Sequence, residues 1–234
     1  MTDLHDIVLQ FDLKGQIESI RPLGNGLIND TYKVNTLDGP SYVLQRINHN
    51  IFRDVELLQN NIVSVTGHIR RKLEAEGVAD IDRKVLTFIP LKNSQVTWYF
   101  DGSSYWRVSL FIENAFTYET VNPEYSYYAG RSFGNFEAML ADIPDTLGET
   151  IPDFHNMELR ARQLEEAVAS DAVGRMAEDE VQEILKEILV HREEMCKAER
   201  MYRDGTLPKR ICHCDTKVNN MMFLVVGIYK GDES

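Results

Sequence analysis

His213, Asp215, Lys217 and Asn220 stand in the order H-x-D-x-K-x-x-N within His213-Cys214-Asp215-Thr216-Lys217-Val218-Asn219-Asn220. That spacing suits phosphoryl transfer, which needs a carboxylate to orient an attacking hydroxyl and accept its proton, and an oxygen ligand for magnesium a few residues on. One loop of this length can set both beside a single γ-phosphate. In this reading Asp215 is the base, Asn220 a metal ligand, Lys217 a cation near the transferring phosphate and His213 the anchor of the loop. A polar turn between strands can contain the same residues by chance, so the surrounding elements decide its weight.

Those elements read as strands with one helix in the first half and mostly helices in the second, an α+β arrangement in two lobes. Ile17 to Leu23, Asp30 to Asn35 and Ser41 to Asn48 carry alternating, β-branched or aromatic residues between glycine turns, as an antiparallel meander would. Apolar residues from Val55 to Leu73 recur every three or four positions and predict a helix over Asp54 to Glu76. Strands are expected at Val85 to Ile89, Gln95 to Phe100 and Tyr105 to Ile112, the last two joined through Asp101-Gly102. Past Glu113 the period turns helical, with Asn122 and Pro123 suited to open a helix that runs to Leu140. Further helices are expected over Asn156 to Ser170 and over Glu178 to Tyr202, the second a long core helix. The lobe boundary is placed here, giving a nucleotide-binding lobe over 1–114 and a partial helical lobe over 115–234.

Three stretches carry a family likeness: Pro22-Leu23-Gly24-Asn25-Gly26-Leu27-Ile28-Asn29-Asp30-Thr31-Tyr32, Tyr42-Val43-Leu44-Gln45-Arg46-Ile47-Asn48, and the His213 to Asn220 loop. Together they resemble the aminoglycoside phosphotransferase superfamily, whose fold is protein-kinase-like, and within it most of all the N-acetylhexosamine 1-kinases. The resemblance implies ATP- and Mg2+-dependent phosphorylation of the anomeric hydroxyl of an N-acetylhexosamine. It also implies that Gly24-Asn25-Gly26 covers the phosphates, where absent side chains let backbone amides approach an anion. A kinase of this kind carries a cation on its third strand. Gln45 and Arg46 are the candidates, and since neighbours on a strand point to opposite faces, only one can meet the nucleotide. Glu56 is the candidate for the helix carboxylate, Glu113-Asn114-Ala115-Phe116 for backbone contacts to adenine, and His155 for the sugar.

The family also uses a second metal-binding Asp, on an apolar strand after the catalytic loop. The run after Asn220 offers only Asp232, preceded by Lys230 and Gly231. The expectation is therefore a C-terminally truncated relative of weakened or absent activity. The alternatives are a nucleotide- or sugar-binding remnant and a kinase for another small alcohol, such as an aminoglycoside, choline or homoserine. Apolar surface left by the shortened lobe would favour a homodimer.

A net charge of −12 argues against nonspecific attraction to nucleic acid or anionic lipid. No run approaches the ~18 consecutive apolar residues of a membrane span, and the N-terminus lacks a secretory pattern, so a cytoplasmic protein is expected. Cys196, Cys212 and Cys214 are an odd number, which disfavours a disulfide framework. Cys212-His213-Cys214 looks like a zinc clip but lacks a second separated pair of ligands.

Overall fold

The computed structural model describes residues 3–24, 29–120 and 122–224. A short helix, α1 (Leu4–Val8), opens the chain, its first turn capped by Asp3, whose carboxylate accepts from the His5 N–H at 3.0 Å. Strands β1 (Ile17–Pro22), β2 (Asp30–Thr36) and β3 (Tyr42–Ile47) follow, then helix α2 (Val55–Ala75). A 3-10 turn at Ile81–Arg83 leads to β4 (Phe88–Ile89), β5 (Tyr99–Phe100) and β6 (Tyr105–Leu110). The strands form one antiparallel sheet in the order β1-β2-β3-β6-β4, with β5 also on β6.

Alternation along these strands builds one core face. Val34, Tyr42, Leu44, Trp106 and Val108 are buried together with Ile7 and Val8 of α1 and with Phe11. The opposite face carries Thr31 and Lys33 of β2, Gln45 of β3 and Arg107 of β6, whose registered neighbours include Thr31↔Gln45 and Gln45↔Arg107. α2 starts where expected, because the Asp54 side chain accepts from the Leu57 N–H at 2.8 Å, and Gly77, at φ +67°, turns the chain just after its end.

Strand β7 (Ala115–Phe116) precedes helix α3 (Pro123–Met139), which opens on the cap expected: Asn122 Oδ1 accepts from the Tyr125 N–H at 2.8 Å, with Pro123 in the first turn. The far half of α2 meets the end of α3 through Ile69, Val85 and Leu140, joined by Ile211. The polar side of that junction is held by Asp142, which accepts from Lys72 and His68.

The chain divides into two compact units, one of 1–150 with 211–234 and the other of 151–210. The boundary expected near residue 114 falls inside the first. The second unit consists of α4 (Met157–Ser170), α5 (Asp179–Met195) and α6 (Lys197–Arg203). Ion pairs Arg192 to Glu165 and Arg203 to Glu158 tie α5 and α6 to α4.

The single long core helix expected over 178–202 is corrected: it breaks at Cys196, and no residue of α5 is buried. Val181, Leu185 and Ile188 are half-buried, whereas Ile184 and Leu189 are exposed, the latter by 61%. Three helices in 60 residues offer too little facing surface to cover a wide apolar stripe. The last element of the first unit among the described residues is strand β8 (Phe223–Leu224), after a 3-10 turn at Val218–Asn220. No helix among the described residues is long and apolar enough to cross a membrane.

Candidate active site

The His213 to Asn220 loop is held at both ends. Ahead of it, Ile211 joins the α2–α3 cluster, and the His213 ring sits 5.2 Å from Phe133 and 6.0 Å from Phe136 of α3. Behind it, Val218 is buried with Ala129 and Phe133, and β8 pairs antiparallel with β7. That pairing sets Phe223 opposite Phe116 and brings the strand after the loop to the segment where the large sheet hands over to the helices.

Between the anchors the backbone turns sharply at Cys214, whose φ of +64° costs a non-glycine residue about 1–2 kcal/mol. Next to it the Asp215 carboxylate lies 2.9 Å from Lys217 Nζ, and Asn220 Nδ2 donates to the Asp215 carbonyl at 2.8 Å. The hydrogen bond from Lys217, and after it that from Asn220, hold the Asp215 carboxyl below the ordinary range, so the group is an ionised acceptor at neutral pH. An open cleft of about 750 Å³ runs along this loop, lined by Thr216 and Lys217 and, from α3, by Ser126, Gly130, Phe133 and Glu137. The Cys212 thiol is pushed up by burial and by Glu137, and Cys214 Sγ donates to the Cys212 carbonyl.

The nucleotide-side expectations separate. Gly24 lies at φ +69° with open space where a Cβ would sit; Asn25 and Gly26 fall outside the described residues, as does Asp232. The far end of the β1–β2 connection is fixed to the end of β3, because Asn29 Oδ1 accepts from the Asn48 N–H at 2.9 Å.

Gln45 and Arg46 lie on opposite faces of β3. Arg46 pairs with Asp30 directly across on β2 and is exposed, whereas Gln45 shares the opposite face with Thr31 and Arg107. Gln45 Nε2 donates to Thr31 Oγ1 at 3.3 Å, and Arg107 Nε donates to Gln45 Oε1 at 3.0 Å. Burial lowers the Arg107 pKa to about 10, which leaves it a cation at neutral pH. The sequence reading did not single out Arg107. Its one signal is the strand register, which requires knowing that β6 lies beside β3.

Glu56 is exposed and forms no ion pair among the described residues. The buried polar side chain of this part of α2 is Gln59, 1% exposed, with neither amide atom hydrogen-bonded. Glu113 receives Lys33 Nζ at 3.2 Å, and its carbonyl, expected to serve adenine, accepts from Arg83 at 2.8 Å. His155 stacks on Phe154 at 4.6 Å and belongs to the second unit, so it is described apart from this site.

A family model described as the phosphotransferase enzyme family matches residues 19–229. The chain belongs to the phosphotransferase enzyme family. The match spans the sheet from within β1 onward and helices α2 to α6, and the mixed α+β architecture agrees with the kinase-like fold of this phosphotransferase family. It includes the loop with Asp215 and Asn220 as well as Gln45 and Arg107. Magnesium takes oxygen ligands and in phosphotransferase sites draws several from water and substrate phosphates. Asn220 fits one such place: its amide nitrogen is committed to Asp215, which leaves Oδ1 as the free donor of an electron pair. Among the described residues no group of three His, Cys, Asp or Glu side chains gathers to hold a metal.

Proposed function

We propose that this phosphotransferase transfers the γ-phosphoryl group of ATP, taken as its magnesium complex, to the anomeric hydroxyl of an N-acetylhexosamine, yielding the sugar 1-phosphate and ADP. The observation that carries the reading is the Asp215 carboxylate paired with Lys217, in a loop whose Thr216 and Lys217 line an open cleft and whose Asn220 amide holds the Asp215 carbonyl. The hydroxyl oxygen forms a bond to the γ-phosphorus as the bond to the bridging β–γ oxygen breaks, and its proton passes to the Asp215 carboxylate. Lys217 adds positive charge beside the transferring group, and magnesium, when bound, neutralises charge on the β- and γ-oxygens. The choice of acceptor is supported by the likeness of Leu44-Gln45-Arg46-Ile47-Asn48 and of the loop's Thr-Lys-x-Asn-Asn ending to N-acetylhexosamine 1-kinases.

The test is to incubate purified protein with ATP, Mg2+ and N-acetylglucosamine or N-acetylgalactosamine and to look for sugar 1-phosphate by phosphorus NMR, with Asp215→Ala as control. Sugar 1-phosphate made by the wild type and missing with the variant is expected. Product with an aminoglycoside, choline or homoserine but not with either sugar would replace the acceptor. Folded protein that binds ATP and makes no product from any of them would leave a binding module.

A further inference from the structure

We infer that Arg107 is the cation that grips the polyphosphate of the nucleotide, with Gln45, on the third strand, as the residue that positions it. The inference rests on the nucleotide reading above and assigns the role expected on β3 to a neighbouring strand.

Six other arginines are each balanced by an acid: Arg46 by Asp30, Arg70 by Asp82, Arg175 by Glu178, Arg192 by Glu165, Arg200 by Glu193 and Arg203 by Glu158. Arg83 and Arg160, half-buried like Arg107, instead donate from a terminal nitrogen to backbone carbonyls. Arg107 does neither among the described residues. It is half-buried on the sheet, and among the described residues no carboxylate pairs with it. Its guanidinium stands 5.4 Å over the Phe88 ring, and only Nε is used, by Gln45 Oε1.

An arginine can only donate, so this bond fixes the Gln45 amide with its oxygen toward β6 and its nitrogen toward Thr31. Thr31 Oγ1 in turn donates to the Asn29 carbonyl, at the foot of the glycine loop. The terminal nitrogens of Arg107 make no hydrogen bond among the described residues. They are not sealed in either, since among the described residues only Gln59 has fully buried side-chain polar atoms without a partner. A cation withdrawn from water without an acid partner is costly, and a planar fork of free donors matches phosphate oxygens. Of the other cations of this face, Lys33 is already engaged by Glu113 and lies 3.8 Å over the Phe111 ring, and Arg21, opposite Lys33 on the edge strand β1, is exposed.

The experiment measures dissociation constants for ATP, ADP and adenosine, with Mg2+, in the wild type, Arg107→Met and Arg107→Lys. Replacing the charge-assisted bonds should weaken ATP and ADP roughly 10- to 100-fold. Adenosine binding should be unchanged, Arg107→Lys should fall between, and the unliganded melting temperature of Arg107→Met should equal or exceed the wild type's. A structural arginine would instead lower the melting temperature and weaken ATP and adenosine in parallel, and that result, or unchanged ATP binding in Arg107→Met, overturns the inference. If Arg107→Met does not fold, Gln45→Leu, which leaves the cation but frees it, should weaken ATP selectively, and equal affinity would count against the role. A folded wild type that binds no nucleotide would remove the nucleotide reading itself, whereas binding that is indifferent to Arg107 removes this assignment alone.

Discussion

Lys217 Nζ lies 2.9 Å from Oδ2 of Asp215, two residues away in the same loop. The ammonium stabilises the ionised carboxylate, so the Asp215 pKa sits below the ordinary range, and Lys217 is the largest contributor to that shift. A base with a lowered pKa stays deprotonated to lower pH, which sets the acid limb of kcat/KM below the usual aspartate value of about 4. Lys217→Met should move that limb upward, toward the usual aspartate value, in addition to lowering the rate. An acid limb at the same pH in both proteins would show that Lys217 does not tune the base. Asp215→Ala should lower kcat by about 10²- to 10⁴-fold.

Asn220 Nδ2 holds the Asp215 carbonyl, and in the proposed reaction its Oδ1 is the atom that would take magnesium. Asn220→Ala should raise the Mg2+ concentration needed for half-maximal activity in a titration from EDTA-treated protein. An unchanged Mg2+ requirement would remove Asn220 from the metal site.

Asp101 gives the sheet an acid-sensitive turn. Burial alone would raise its pKa, but Trp106 Nε1 at 2.9 Å, the N–H groups of Ser104 and Ser103 at 2.8 Å each and the Ser103 hydroxyl outweigh it and bring the value to about 2. A depressed carboxylate stabilises the fold above its unfolded pKa, and that contribution fades as pH falls from about 4 through about 2. The melting temperature of Asp101→Ala should lie below the wild type's at pH 6, with the gap closing between pH 4 and 2. A gap independent of pH would rule out the ionised form as the stabilising one.

Core placement can be tested by truncation. Leu44 is fully buried between α1 and the sheet, so Leu44→Ala should cost about 2–5 kcal/mol in denaturant unfolding of the first unit. Leu189, on the exposed side of α5, should tolerate alanine within about 0.5 kcal/mol. A large loss at Leu189 would restore α5 to a core role.

Much of the fold was legible because its signals are local. The caps at Asp54, Asn122 and Asn156 each meet an N–H three residues on, so a short polar residue before an apolar period located three helix starts correctly. The strands of the meander were legible from alternation. Helix α1, of five residues, is too short to show a period and stands because Ile7 and Val8 bury against the sheet. The break at Cys196 carries no glycine or proline, so the period runs through it unmarked.

The sequence by itself determined which groups the loop brings together, because Asp215, Lys217 and Asn220 lie within six consecutive residues. Only the tertiary structure decided which strand residue faces with Gln45 and which cation stands beside it. Gln45 and Arg107 are 62 residues apart and meet through the β3–β6 register. Register is chosen by the burial of a whole sheet face, here Tyr42, Leu44, Trp106 and Val108 against α1, and no short window of sequence contains that choice.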